Sequence, residues 1–216
     1  NRMSIGIQSL DNRELEMLGR VHNAEDAAIA VSNARDAGFN NISVDMIYGI
    51  PSLKSKVVSF ELQIKSWEHN LSQAMELGPR HISAYELTPE ANTPLHDALK
   101  AKELVMPPEE AIAEMYYRGV EILGINGYSH YEISNFAKYG FECRHNLNYW
   151  GRGQYIGVGA GAHSFTGAVR YSNTTNIREY VEKLRVDNMP VDECDAITEI
   201  EAYKEIIFLG LRKAAG

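Results

Sequence analysis

Eight consecutive residues, Cys143-Arg144-His145-Asn146-Leu147-Asn148-Tyr149-Trp150, bring together an imidazole, two side-chain amides and two large aromatics. A strand or helix with a purely structural task has little use for so many hydrogen-bonding groups in one place. A flat aromatic cofactor would use them all. The His145 imidazole could ligate a metal, Tyr149 and Trp150 could stack, and Asn146 and Asn148 could hold peripheral polar groups. The plainer alternative stands beside it. A lone histidine is more often a satisfied polar residue than a ligand, and the two aromatics could be core or interface residues with paired polar tips.

A second set of candidates lies on strand-like runs. Gln8 ends the first run, Asp45 lies inside the second, and Glu86 lies near the end of the third. Polar side chains buried along apolar strands are costly unless paired or liganded. Arg20, in the loop after the first short helix, could pair with a carboxylate. A structural salt bridge inside the fold is the competing explanation.

These residues must be positioned by an alternation of strands and helices. Met3–Gln8 is apolar enough for a strand. Asp11 to Glu14 has the form of a capping box and opens a short helix through Leu18. Asn23 with Asp26 repeats that form, Ala27, Val31, Ala34 and Ala37 make one helical stripe, and Gly38 closes it. Ile42–Tyr48 reads as a buried strand. Phe60, Ile64, Trp67, Leu71 and Ala74 step by four and three, marking a helix that Gly78-Pro79 stops. His81–Leu87 is the third strand. The recurrence suits βαβ units on a parallel sheet, with active residues at the C-terminal strand ends.

The pattern then changes. Residues 89–106 read as an irregular connection. Pro107-Pro108-Glu109-Glu110 opens a helix with a face of Ile112, Tyr116, Val120 and Leu123, ended by Gly124 and Gly127. Tyr128–Ile133 reads as a strand. Tyr155–Phe165 reads as another, carrying Gly157, Gly159 and Gly161. That alternation is unlike the dinucleotide fingerprint, and suggests close backbone approach to a ligand or a neighbouring strand. Ile177 to Leu184 is a helix. Thr198 with Glu201 caps a last one, whose Tyr203, Ile206, Ile207 and Leu211 are expected to face inward.

Composition narrows the function. A net charge of −8 with no Lys/Arg cluster argues against a nucleic-acid partner. No stretch of 18 apolar residues reads as a membrane span. The two cysteines, Cys143 and Cys194, are too few for a disulfide scaffold or a four-thiolate iron–sulfur cluster. The chain starts with Asn1-Arg2 in a strand-like run, and is expected to be a piece of a longer cytoplasmic protein.

Six segments carry a resemblance. They are Arg2 to Ser9, Val44-Asp45-Met46-Ile47-Tyr48-Gly49-Ile50-Pro51, and His81-Ile82-Ser83-Ala84-Tyr85-Glu86-Leu87-Thr88, then Tyr131 to Ala137, His145-Asn-x-x-Tyr-Trp150, and Gly159-Ala-Gly-Ala-His-Ser164. In order and spacing the chain resembles the oxygen-independent coproporphyrinogen III oxidase-like radical SAM (S-adenosylmethionine) family. The HNxxYW motif points to its heme chaperone branch. The resemblance implies an α/β fold: part of an open (β/α)6 radical SAM barrel, its last three strands lying in residues 1–90. An α+β extension with the HNxxYW motif, incomplete at its C-terminus, would follow in residues 91–216.

The resemblance also implies cofactors. Gln8, Arg20 and Asp45 fall on SAM-contacting positions, and His145, Asn146, Tyr149 and Trp150 take the heme-facing role. His145 would be the axial ligand, with His163 as runner-up. Cys143 precedes His145 by two residues, unlike the C-x-x-C-H attachment pattern, so no covalent heme linkage is expected. The family's C-x3-C-x2-C motif for its [4Fe–4S] cluster belongs to a region before this chain, so the ligands are expected outside it and no catalytic residue is assigned. The implied partners are heme and a heme-acceptor protein, with peripheral membrane contact through the acceptor. The implied alternative is the oxidase itself, which decarboxylates propionate side chains by radical chemistry in porphyrin biosynthesis.

Overall fold

The computed structural model describes residues 1–215. The chain forms two compact units, Asn1–Glu142 and the residues from Cys143 onward.

The first unit runs β1 (Met3–Gln8), α1 (Asn12–Met17), α2 (Ala24–Asp36), β2 (Ile42–Tyr48), β3 (Ser52–Leu53), α3 (Phe60–Glu76), β4 (His81–Glu86), α4 (Pro94–Lys100), β5 (Leu104–Val105), α5 (Glu109–Ile125), β6 (Ser129–Glu132) and β7 (Asn135–Ala137). β1, β2 and β4 are parallel neighbours, as the βαβ pattern requires. The β6–β7 hairpin extends the sheet by antiparallel pairing of β7 with β4, giving the order β1-β2-β4-β7-β6. The expected division at residue 90 thus falls inside this unit, because α5 packs on α3 and β7 pairs with β4.

Register gives the sheet two unlike faces. Side chains of paired residues share a face, and the face alternates along each strand. Ile7, Val44, Met46, Ile82, Ala84 and Phe136 belong to the apolar core beneath the helices. The other face carries Ser4, Ser43 and His81 in one row, and Gly6, Asp45, Ser83 and Asn135 in the next. The Trp67 indole N–H donates to the Met115 carbonyl at 2.8 Å, fixing α3 against α5.

Local signals explain most boundaries. Asn23 and Asp26 form a complete capping box, and Gly38 follows α2 with φ 94°. Asp11 caps α1 through the Arg13 N–H, but Glu14 does not complete a box. Its carboxylate instead accepts from the Ser9 hydroxyl (2.6 Å), the Ser66 hydroxyl (2.8 Å) and the Asn70 amide (2.9 Å). Three donors from the fold outcompete one local N–H. The connection at 89–106 is not irregular: Thr93 caps α4 with Pro94 in its first turn, and β5 pairs with β3. In α5 the buried line is Ala111, Met115, Gly119 and Leu123, with Ile112, Tyr116 and Val120 flanking it. That helix runs through Gly124, and Gly127 turns the chain with φ 75°.

The second unit holds α6 (Arg144–Trp150), β8 (His163–Phe165), β9 (Val169–Asn173), α7 (Ile177–Arg185), β10 (Val191–Ala196) and α8 (Glu199–Gly210), with an antiparallel sheet in the order β10-β9-β8. The strand expected over Tyr155–Phe165 shrinks to β8 and one bridge between Tyr155 and Phe165. Gly159 and Gly161 have φ of 116° and 72°, outside strand geometry. Gly157 lies against the neighbouring backbone, where an added Cβ would be 2.1 Å from the His163 carbonyl oxygen.

Thr198 and Glu201 cap α8 as expected, but Tyr203, Ile206, Ile207 and Leu211 are all exposed rather than inward. Helical spacing reveals an apolar stripe without revealing what covers it. The inward contact of α8 is a charge. Glu205 pairs with Arg152 at 2.7 Å and Arg170 at 2.9 Å, and both guanidiniums lie over the Phe165 ring. Arg170, then Arg152, holds the Glu205 carboxyl below its usual range.

Candidate functional site

Two groups of candidate side chains emerge, one in each unit. In the first, Gly6 of β1 stands opposite Asp45 of β2. The Gln8 side chain folds back over Gly6, where an added Cβ would sit 2.3 Å from its Nε2. Gln8 itself has φ 56°, a left-handed conformation that a non-glycine residue seldom adopts. Amide and carboxylate are therefore brought to one polar face. The Ser4 hydroxyl donates to both Asp45 oxygens, at 3.1 and 3.3 Å. An amide beside a carboxylate has the donors and acceptors that hydroxyl and ammonium groups need, so these two residues fit the polar part of S-adenosylmethionine.

Arg20, the third residue of this set, lies in the loop after α1. It is exposed, and among the described residues its guanidinium pairs with no carboxylate. Glu86, read as a buried strand carboxylate, is also exposed, because β4 emerges from the core at Tyr85.

Sequence reasoning passed over a further part of this face. His81 is 3% exposed. Its Nδ1 lies 2.7 Å from the Ser43 hydroxyl and its Nε2 lies 2.7 Å from the Tyr131 hydroxyl. Burial, with a smaller contribution from Arg2, pushes its pKa down to about 4. The ring is neutral at pH 7, so one nitrogen donates and the other accepts. The signal was present in the period-two spacing of Ser43 with Asp45 and of His81 with Ser83.

In the second unit the HNxxYW residues form α6. His145 is exposed on its first turn. Tyr149, four residues on, meets the imidazole edge-on with centroids 4.6 Å apart, and Tyr155 supports Tyr149 at 4.6 Å. Trp150 carries the Arg212 guanidinium 5.0 Å from its ring centre. Asn146 Oδ1 accepts from the Cys143 thiol at 3.4 Å. Asn148 donates to the Gln154 carbonyl at 3.1 Å, which shapes the following loop. An accessible imidazole against the Tyr149 ring, on one helix with Trp150, whose ring the Arg212 guanidinium overlies, has the group types that suit heme iron, ring and carboxylates. His163, the runner-up ligand, is exposed at the start of β8.

Among the described residues no group of three or more His, Cys, Asp or Glu side chains converges to hold a metal ion. The residues present therefore do not fit an iron–sulfur cluster. Among the same residues no helix is long and apolar enough to cross a membrane.

No protein-family model matches the chain. The chain is 38% identical over 216 residues to the heme chaperone HemW of Bacillus subtilis (strain 168), an alignment covering 100% of this chain and 55% of that protein. It is 34% identical over 226 residues to the mouse mitochondrial radical S-adenosyl methionine domain-containing protein 1, covering 100% of this chain and 49% of that one. The chain thus spans about half the length of the curated relatives it matches. The fold superimposes on that of coproporphyrinogen III oxidase (HemN) from Escherichia coli, a radical SAM enzyme, with a TM-score of 0.74 at 19% identity, covering 98% of this chain and 49% of that one. Similarity along the whole chain to HemW proteins at 33–38% identity, on a fold shared with that oxidase, supports a place among the HemN-like radical SAM proteins, on the HemW branch.

Proposed function

We propose that the chain is part of a heme-binding chaperone of the cytoplasm, which holds heme at α6 and delivers it to an acceptor protein. One observation carries this reading: His145 is both exposed and held edge-on by Tyr149, on one short helix with Trp150. Heme would supply an iron with an open axial position. His145 would donate an imidazole nitrogen to it. Tyr149 and Trp150 would offer ring surface, Asn146 a peripheral hydrogen bond, and Arg212 a cation for a carboxylate. An exposed ligand favours release as well as capture, which suits delivery more than chemistry in a closed site. The resemblance to chaperones across the whole chain supports this reading.

In the first unit Asp45 and Gln8 would hold the hydroxyl and ammonium groups of S-adenosylmethionine. Arg20, an exposed guanidinium, would hold its carboxylate. The ligands of a [4Fe–4S] cluster would come from outside the described residues. Any contact with a membrane would be peripheral, through the acceptor.

The full protein, loaded with hemin and mixed with an apo b-type heme protein, should pass its heme on, read by absorption after the two proteins are separated. It should release no CO2 from coproporphyrinogen III. Decarboxylation without heme transfer would overturn the chaperone reading in favour of the oxidase, the reading that the fold likeness alone would favour.

A further inference from the structure

Where β2 and β4 end, the first unit has a cavity of about 570 Å³, lined by Tyr48, Glu86, Glu109, Tyr116 and Tyr117 together with Ile112, Ala113, Ile133 and Ser134. It adjoins neither the Gln8–Asp45 face nor α6 in its lining. We propose that this cavity is a binding site for an organic cation, a guanidinium or alkylammonium group.

The chemistry of the lining carries the inference. Its charged residues are two carboxylates, and no lysine or arginine lines it. By contrast, the groove between α3 and α5 mixes Lys65 and Arg118 with its acids. Glu109 lies in the first turn of α5. Aromatic rings supply the remaining attraction. Tyr116 and Tyr117 meet edge-on with centroids 5.7 Å apart, and Tyr48 is braced from behind by Trp67 at 5.4 Å. Ring faces and carboxylates together attract a cation that keeps apolar surface of its own, as a guanidinium or an alkyl amine does. Burial, reinforced by Glu86, pushes the Tyr48 phenol up to about 12, so its ring stays neutral and adds no competing charge change near pH 7. The volume lies in the usual range for small-molecule sites, roughly 300–1,000 Å³, and exceeds what one guanidinium fills. The group could arrive on a free amine or on the arginine or lysine side chain of a protein segment.

Calorimetric titration of the full protein at low salt tests this, with agmatine in one arm and the amidated tripeptide Gly-Arg-Gly in the other. Saturable binding in either arm is expected. The double variant Glu86→Gln/Glu109→Gln should weaken it about tenfold, and Tyr117→Ala should weaken it several-fold. Thermal melts and hemin affinity of the double variant should stay unchanged, since both carboxylates are exposed and remote in sequence from α6. Tighter binding of the peptide would assign the site to a protein partner, and tighter binding of agmatine to a free amine. No saturable binding in either arm, or binding that the double variant leaves intact, would overturn the proposal.

Discussion

Replacing Phe136 with Ala will lower the unfolding free energy by about 3–5 kcal/mol, the usual range for deleting a fully buried phenyl ring. Phe136 is 2% exposed. It stands opposite Ile82 of β4, and its ring stacks on His130 of β6 with centroids 4.6 Å apart. The ring thus joins the hairpin to the parallel strands. Removing it takes away apolar burial and leaves a cavity between elements that backbone pairing holds apart. Urea denaturation followed by far-UV circular dichroism measures the loss. A loss below about 1 kcal/mol would mean that the hairpin lies outside the cooperative core.

The second large effect is acid destabilisation through His81. Its folded pKa is about 4, depressed from 6.5 mainly by burial and secondarily by Arg2. In the window between those values the unfolded chain binds more protons than the folded one, so stability rises with pH there. The contribution is fully present above pH 6.5, is lost as pH falls toward 4, and levels off below. The loss through the window is about 3 kcal/mol. Urea midpoints from pH 7.5 to 4 measure it, with His81→Gln as the comparison. The variant should start less stable, because the Ser43 and Tyr131 hydroxyls lose their ring partner, and should show a shallower slope. An equal slope in both proteins would place the acid sensitivity elsewhere.

The legible parts of the fold were those set by local signals. Asn23 with Asp26, and Thr198 with Glu201, fix their helix starts within a few residues, and Gly38 does the same for one helix end. The three parallel strands were equally readable, since Ile42–Tyr48 and its two companions combine apolar runs with turn residues. What escaped depends on distant partners. Glu14 has the sequence of a box residue but is drawn away by Ser66 and Asn70, more than fifty positions later. β5 is two residues long and exists because β3 pairs with it. The stripe on α8 has helical spacing, yet the side chain that docks is Glu205, held by two arginines. At the candidate sites, Gln8 and Asp45 were identifiable and are brought together. The place of Arg20 was not legible, because nothing in a loop sequence says where its side chain points. His81 was missed because its role rests on Tyr131, fifty residues away, which only the hairpin brings near.

The chaperone reading requires that α6 hold heme through His145. Hemin titration of the full protein, followed by its Soret absorption, with His145→Ala run in parallel, tests it most directly. Saturable, near-stoichiometric binding is expected, weakened about tenfold or more by the substitution, with a changed spectrum from the altered axial ligand. Binding of the same affinity and spectrum in the variant, or no binding in the unsubstituted protein, would contradict it.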